Sequence, residues 1–184
     1  SVEEAITDYR NAVVYSTARN EKIIVRMNQM LERTVWALTN QLKAGDFVPE
    51  AYELRFFGGK IDRIDICETE EQIYVKVMDY KTGSKAFDVV ALYHGLQLQL
   101  MVYMDAAVEF QKKRHPDKEV IPAGVFYYRI QDPLVDKTED KEKAERAVLK
   151  QLKPDGIIPL GTEILKHLDH NTSGESLAVP VKYN

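Results

Sequence analysis

The chain has 184 residues, of which 45% are hydrophobic and 29% are charged. This length and composition fit one globular domain with a single core, and they exclude a disordered or low-complexity protein. No apolar run approaches the roughly 18 residues of a membrane span. The acidic start, with Glu3 and Glu4, is unlike a signal peptide, so we expect a cytosolic protein.

Cysteine content and net charge limit the chemistry further. Cys67 is the single cysteine, which excludes an internal disulfide and any metal site built from several cysteines of this chain. Metal chemistry should therefore use oxygen or imidazole ligands. The net charge of −4 argues against tight DNA binding by this chain alone, because duplex-binding modules usually carry a basic surface.

The first half of the chain changes from a helical to a strand pattern. Apolar residues recur at helical spacing until the stop signal around Gly45, and alternating patterns follow. The turn at Gly58 and a polar four-residue loop before Ile73 indicate a hairpin. The predicted elements are helices over residues 3–9 and 20–43 and strands over residues 49–57, 60–67 and 73–81.

The second half begins with the strongest helix signal. Asp88 is a predicted N-cap for one long, apolar helix from Val89 to about Lys113, which we expect to be largely buried. The elements predicted after it are a buried strand over residues 123–130, an exposed helix over 138–152, a short helix over 163–168 and a possible strand over 177–181. The fold class is therefore α/β, a mixed sheet of four or five strands with helices packed on it.

In each strand of the predicted hairpin, one face is apolar along most of its length and carries charged residues at one end. Because side chains alternate along a strand, Asp79 and Lys81 share one face, and Asp62 ends a similar face on the neighbouring strand. A four-residue loop pairs Glu68 with Ile73, and the same register puts Asp62 opposite Asp79. Two carboxylates and an amine should therefore converge.

Convergence favours a metal site over an ordinary ion pair. For a single strand, a surface pair of Asp79 with Lys81 would be the simplest explanation. Two carboxylates facing each other across strands repel, however, and partial burial adds to the cost. A divalent cation between Asp62 and Asp79 would relieve the repulsion, since Mg²⁺ prefers carboxylates, water and phosphate oxygens. Lys81 could then polarise a water or stabilise charge that develops on phosphorus.

Three short motifs surround these residues in order along the chain. Residues 59–65 read GKIDRID, residues 79–83 read DYKTG, and residues 95–103 read GLQLQLMVY. Together they resemble the GxxDRxD, DYK(S/T)G and QLxxY signatures of the RecB family of PD-(D/E)XK nucleases. The similar stretch runs over about residues 52–136. Within this family, the sequence resembles the AddB-type nuclease domains of bacterial helicase-nuclease complexes.

The resemblance implies a restriction-endonuclease-like core and a function. It implies metal-dependent hydrolysis of DNA phosphodiesters by an exonuclease, in double-strand break repair and recombination. Asp62 and Asp79 would bind Mg²⁺ or Mn²⁺, and the backbone carbonyl of Tyr80 would complete the metal site. Lys81 would be the catalytic lysine. The acidic net charge is compatible with this function, because a partner or neighbouring domain can hold the DNA.

The third motif adds two candidate catalytic residues, Gln99 and Tyr103. They lie four residues apart and so share one helix face, and Gly95, one turn earlier, would let the helix approach the sheet closely. The alternative is that both are core polar groups with satisfied hydrogen bonds. Arg63 and Asp65, on the other face of their strand, predict a structural salt bridge outside catalysis.

The chain departs from the family at two points. No histidine precedes His94, although many members carry a metal-binding histidine before the first aspartate; His115, His167 and His170 lack metal-ligand spacing, so no histidine is assigned a role. AddB-type domains also hold an iron-sulfur cluster, but Cys67 matches none of its ligands, so no cluster is expected here. We expect a fragment of a larger subunit whose partners are DNA and an AddA-like helicase-nuclease subunit.

Two other functions stay open at this point. A stand-alone RecB-like exonuclease of the CRISPR-associated type would carry the same motifs. A catalytically silent scaffold that binds a helicase partner would have no need of Asp62, Asp79, Lys81 and Gln99, so their presence speaks against it.

Overall fold

A computed structural model describes residues 18–83, 87–136, 138–171 and 173–183. The helix predicted over residues 3–9 lies outside these ranges. The elements in chain order are α1 (Ala18–Lys43), β1 (Val48–Phe56), β2 (Gly59–Glu68), β3 (Gln72–Lys81), α2 (Val89–Tyr93), α3 (Gln99–Arg114), β4 (Glu119–Arg129), α4 (Lys141–Gln151), β5 (Asp155–Ile157), α5 (Thr162–Leu168), β6 (Gly174–Glu175) and β7 (Lys182–Tyr183). Among the described residues, no helix is long and apolar enough to cross a membrane.

In the part of the chain that the structure describes, the main sheet has five strands in the order β1-β2-β3-β4-β5. Neighbouring strands are antiparallel except for β3 and β4, which are parallel. A parallel pair needs a long crossover, and the segment that contains α2 and α3 provides it. The predicted α/β class, a mixed sheet with flanking helices, is confirmed.

The β2–β3 hairpin has the register predicted from its loop length. Glu68 pairs with Ile73, and the same register continues to the pair of Arg63 with Met78. Thr69 closes the loop, because its hydroxyl accepts a hydrogen bond at 3.0 Å from the backbone N–H three residues later. This local bond fixes the loop at four residues and so fixes which side chains face which side of the sheet.

Both faces of the sheet are buried. On one face, aliphatic side chains of β2 and β3 such as Val75 pack against α3 through Leu100. On the opposite face, Phe126 of β4 packs against α5 through Leu168. A third cluster joins α1, β3, β4 and the end of α4, and it consists of Ala37, Met78, Tyr128 and Leu152.

The crossover differs from the single buried helix predicted from Val89 to about Lys113. Gly95 has φ +75°, a conformation that disfavours side chains, and it separates α2 from α3 instead of letting a helix approach the sheet. Asp88 is the N-cap as predicted, and its carboxylate accepts from the Val90 backbone N–H at 2.8 Å. None of the residues of α2 is buried, so the expected burial is wrong for this part.

The C-terminal region contains a second difference. The strand predicted over residues 177–181 is wrong, because residues 177–180 form bends between the short strands β6 and β7. The Ser176 hydroxyl accepts hydrogen bonds from the backbone N–H groups of Ala178 and Val179 at 3.1 and 3.0 Å. Those N–H groups are therefore used locally rather than in a strand ladder.

A buried charge cluster lies on the sheet face opposite α3. Asp65 is fully buried, and Arg63 donates to its two carboxylate oxygens at 2.5 and 2.7 Å, so the predicted salt bridge is confirmed. Lys76 Nζ lies 2.8 Å from the same carboxylate. Burial lowers the pKa of Lys76 below its ordinary value, although Asp65 opposes this shift. Asp65 is therefore the shared ion-pair partner of two largely buried cations.

We expect Asp65→Ala to lower the free energy of unfolding by about 3–5 kcal/mol, because it leaves two cations without their shared carboxylate. Urea unfolding followed by circular dichroism measures the change. Glu53→Gln, which alters the exposed pair of Glu53 with Lys60, is the control and should leave the midpoint unchanged. A stable Asp65→Ala protein would contradict the central role of Asp65.

Candidate active site

Three charged side chains meet near the start of β2 and the end of β3. Asp79 is only 3% exposed and forms an ion pair with Lys81. The Asp62 carboxylate accepts a hydrogen bond at 2.9 Å from the backbone N–H of Tyr80, the residue between Asp79 and Lys81. The structure thus brings together the three residues that the hairpin pattern singled out.

Asp62 reaches this position by a change in strand geometry, not by the simple pairing with Asp79 that the sequence predicted. The last residue of β2 that pairs with β3 is Arg63, which pairs with Met78. Asp62, its neighbour in the chain, has no partner in this ladder. Opposite Asp62 on β1, Glu53 has φ +52°, which is uncommon for a residue with a side chain. Ile61 and Ile64 lie in the same core cluster, although strict alternation would put them on opposite faces. Strict alternation of side chains along β2 therefore fails between Ile61 and Ile64.

Lys81 is the cation of the site. Its burial lowers its pKa, but the hydrogen bond and charge of Asp79 and the charges of Tyr127 and Asp62 raise it, and the net result is a raised pKa. Lys81 is therefore an ammonium in this setting. Its Nζ lies 5.2 Å from the centre of the Tyr127 ring, within the range of a cation–π interaction.

The helix α3 contributes the two residues of the third motif. Gln99 Nε2 donates to the Tyr103 hydroxyl at 2.6 Å, so both lie on one helix face. The Tyr103 ring packs edge-on against Phe56, with the ring centres 5.7 Å apart. A Cβ at Gly59 would lie 3.3 Å from the Tyr103 ring, so this glycine leaves room for the ring. The first and third motifs are therefore in contact.

Residues paired across β3, β4 and β5 connect Asp79 with the edge strand β5. Asp79 pairs with Tyr127 on β4, and Tyr127 pairs with Asp155 on β5, so the three residues share one row of the sheet. The Asp155 carboxylate accepts a hydrogen bond at 3.2 Å from the backbone N–H of Phe87. The Phe87 ring lies 6.1 Å from the Tyr127 ring. Asp155 therefore links β5 to Phe87, which stands just before α2.

Sequence reasoning missed Tyr127 and Asp155. Tyr127 becomes a neighbour of Asp79 only through the parallel β3–β4 pairing, and Asp155 joins the same row only through the short strand β5; no local pattern predicts either pairing. Gln97, which the third motif includes, accepts a hydrogen bond from the Asp88 backbone N–H at 3.1 Å and so braces the turn before α3. The Tyr80 hydroxyl lies on the other sheet face, 3.3 Å from Arg63, and its carbonyl as a metal ligand stays a prediction.

The sequence matches the family model described as the PD-(D/E)XK nuclease superfamily over residues 2–181. The chain belongs to this superfamily. In this PD-(D/E)XK nuclease domain, Asp79, Tyr80 and Lys81 fit the (D/E)XK part of the family name, and Asp62 fits the first aspartate. Ile61 stands where the name has proline.

The nuclease domain is also similar to components of bacterial helicase-nucleases. It is 39% identical over 182 residues to the B-type subunit of the ATP-dependent helicase/deoxyribonuclease of Lachnoclostridium phytofermentans, covering 95% of this chain and 16% of that protein. The equivalent proteins of Alkaliphilus metalliredigens and a Thermoanaerobacter species are 35% and 31% identical, covering 97% and 100% of this chain. The chain spans only 17% and 18% of their length.

We expect Asp155→Ala to speed hydrogen exchange of the Phe87 amide about fivefold, because one hydrogen bond contributes about 1 kcal/mol. Hydrogen exchange followed by NMR measures the effect. Asp140→Ala is the control, since Asp140 caps α4 through the Lys143 backbone N–H and should change exchange there instead. Unchanged exchange at Phe87 in Asp155→Ala would show that Asp155 does not hold the Phe87 amide.

Proposed function

We propose that this chain is a metal-dependent nuclease domain that hydrolyses DNA phosphodiesters as part of an AddB-like helicase-nuclease subunit. The meeting of Asp62, Asp79 and Lys81 carries the proposal, because a nuclease needs a cation site beside a positively charged side chain. The relatives are named as deoxyribonuclease subunits, which supports DNA as the substrate. We further propose that the domain acts as an exonuclease in double-strand break repair and recombination. It would do so in the bacterial cytoplasm, together with an AddA-like partner.

The donor set fits a hard divalent cation such as Mg²⁺ or Mn²⁺. Asp79 is buried beside one ammonium, and Asp62 adds a second carboxylate, so the three side chains together carry a negative charge. Buried negative charge is costly unless a cation balances it. Asp62, Asp79 and the backbone carbonyl of Tyr80 would hold the ion. When bound, the ion supplies Lewis acidity towards the phosphate and the attacking water.

The reaction requires an attacking water to be positioned and the charge on phosphorus to be balanced. Water attacks phosphorus and gives up a proton as the new P–O bond forms. The bond to the leaving oxygen breaks, and the proton that this oxygen takes up balances the one that the water lost. Lys81 is held as an ammonium by Asp79, so it would donate hydrogen bonds to the phosphate oxygens as their charge grows. Gln99 and Tyr103, linked to each other and packed beside Gly59, would position the DNA strand next to these groups.

Most of the affinity for DNA would come from other parts of the full protein and from its partner. Its net charge is −4, whereas affinity for DNA depends mainly on cationic side chains that neutralise phosphates. In the relative from Lachnoclostridium phytofermentans, the matching segment is 16% of a longer protein. The rest of such a protein, together with an AddA-like partner, would deliver the strand to the site.

We expect Mn²⁺ to bind the wild-type chain and to bind Asp79→Asn at least about a hundredfold more weakly, because the variant keeps the side-chain shape but loses a ligand charge. Isothermal titration calorimetry measures both affinities. Asp105→Asn, at an exposed position of α3, is the matched control and should bind like the wild type. Equal affinity in Asp79→Asn would remove Asp79 from the metal site.

We expect Lys81→Met to reduce DNA cleavage at least about a hundredfold while Mn²⁺ binding persists, because it removes the charge that would stabilise the transition state. Release of labelled nucleotides from linear duplex DNA, with the variant placed in the assembled helicase-nuclease, measures the rate. Lys112→Met, on the exposed face of α3, is the control. Wild-type cleavage by Lys81→Met would show that the lysine has no catalytic role.

A further inference from the structure

A second group of metal-ligating side chains lies on the sheet face opposite the candidate active site. Asp46 lies between α1 and β1, Cys67 lies near the end of β2, and His167 lies in the last turn of α5. Their donor atoms all lie within 4.8 Å of one another. His170 lies beside them, with Nε2 2.8 Å from one Asp46 carboxylate oxygen, while His167 Nδ1 lies 2.8 Å from the other.

We propose that Asp46, Cys67 and His167 form a binding site for Zn²⁺ or a similar transition-metal ion. A thiolate, an imidazole and a carboxylate are the ligands that Zn²⁺ takes in proteins, whereas Mg²⁺ takes oxygen ligands. The donor chemistry therefore separates this site from the one proposed at Asp62 and Asp79. A single cysteine is enough, because the other ligands are oxygen and nitrogen.

The donor atoms are close to the spacing that a tetrahedral ion requires. With bonds of about 2.0–2.3 Å to the ion, ligand atoms lie about 3.3–3.8 Å apart. The widest present separation is no more than 4.8 Å, so the donors need to close by about 1 Å. The hydrogen bond between His167 and Asp46 would open by a smaller amount as both atoms turn to the metal. Side-chain rotation alone can supply such movements.

The segments that carry Asp46 and His167 are fixed to each other through their backbones. The Asp46 N–H donates to the His167 carbonyl at 2.8 Å, and the His170 N–H donates to the Ala44 carbonyl at 2.7 Å. Gly45 permits this approach, since a Cβ there would lie 2.4 Å from the His167 carbonyl oxygen. Two of the ligands are thus held in place by contacts that do not depend on a metal.

The third ligand, Cys67, is held by the sheet. It pairs with Tyr74 in the β2–β3 ladder, and the Tyr74 ring lies 5.1 Å from the His167 ring. Cys67 is 4% exposed, whereas the side chains of His167 and Asp46 are 24% and 44% exposed. The thiol therefore forms the floor of the site, and an ion can enter from solvent past Asp46.

The His170 imidazole would act from outside the metal's ligands. It contacts one Asp46 carboxylate oxygen, while His167 contacts the other. A hydrogen bond of this kind orients a carboxylate ligand. A bound ion would then connect the end of α1, β2 and the end of α5 at one point. The expected role is structural, because the three ligands come from separate parts of the chain: the connection between α1 and β1, strand β2 and helix α5.

Titration with Co²⁺ tests the site, because a cobalt–thiolate bond gives an ultraviolet charge-transfer band that oxygen ligands do not give. We expect one equivalent of Co²⁺ to produce this band in the 184-residue chain and one equivalent of Zn²⁺ to remove it. Cys67→Ser, which nearly preserves the size of the buried side chain, should lose the band. Asp79→Asn, which alters the other proposed metal site, should keep it.

A variant at the surface makes the test independent of the buried cysteine. His167→Gln should bind Zn²⁺ at least about tenfold more weakly, and Zn²⁺ should raise the thermal midpoint of the wild type but not of this variant. His115→Gln, at a histidine outside the group, is the matched control. Absence of a thiolate band in the wild type, or Zn²⁺ binding unchanged in His167→Gln, would overturn the proposal. Either result would leave the assignment of Asp79 untouched.

Discussion

The register of the β2–β3 hairpin is the constraint on which the rest of the structure depends. It fixes Val75 towards α3 and Tyr74 towards α5, so each helix has an apolar surface to cover. A slip by one residue would reverse every side chain of β3, bury Lys76 under α3 and move Asp79 to the other face. The pairing of Glu68 with Ile73, closed by Thr69, therefore determines where the charged groups lie.

The same register places the charged side chains in two clusters, one on each face of the sheet. One cluster has more cations and the other has more carboxylates among the described residues. On the face opposite α3, Asp65 is surrounded by the cations Arg63 and Lys76. On the α3 face, Lys81 is the cation beside Asp79 and Asp62. In the first cluster both cations contact the Asp65 carboxylate directly, and Arg63 donates two hydrogen bonds to it. Among the residues that the structure describes, the second cluster has two carboxylates and one cation, and such a site is stabilised by a divalent ion.

Alternation and loop length were sufficient to predict the hairpin, the meeting of Asp62 with Asp79 and Lys81, and the shared face of Gln99 with Tyr103. These features depend on residues close together in sequence. The helix break at Gly95 was not predicted, because apolar spacing continues through it and only the backbone shows the positive φ.

Features that depend on distant strand pairs were also beyond the sequence. Alternation predicts a direct pair of Asp62 with Asp79, but the β2–β3 ladder stops at Arg63, and Asp62 accepts a hydrogen bond from the Tyr80 backbone N–H. Asp155 reaches the row of Asp79 only because β4 lies between them. Likewise, His167 and Asp46 show no metal-ligand spacing along the chain and become neighbours through backbone contact at Gly45.

The two proposed metal sites are coupled through β2, since Cys67 and Asp62 belong to the same strand. An ion held by Cys67 and His167 would fix one end of β2 against α5, on the sheet face opposite α3. Asp62 lies at the other end, beyond Arg63, where the ladder with β3 stops. Fixing the paired end of a strand restricts slippage along all of it. A structural ion behind the sheet would therefore help to hold Asp62 at the hydrogen bond that brings it to Asp79 and Lys81.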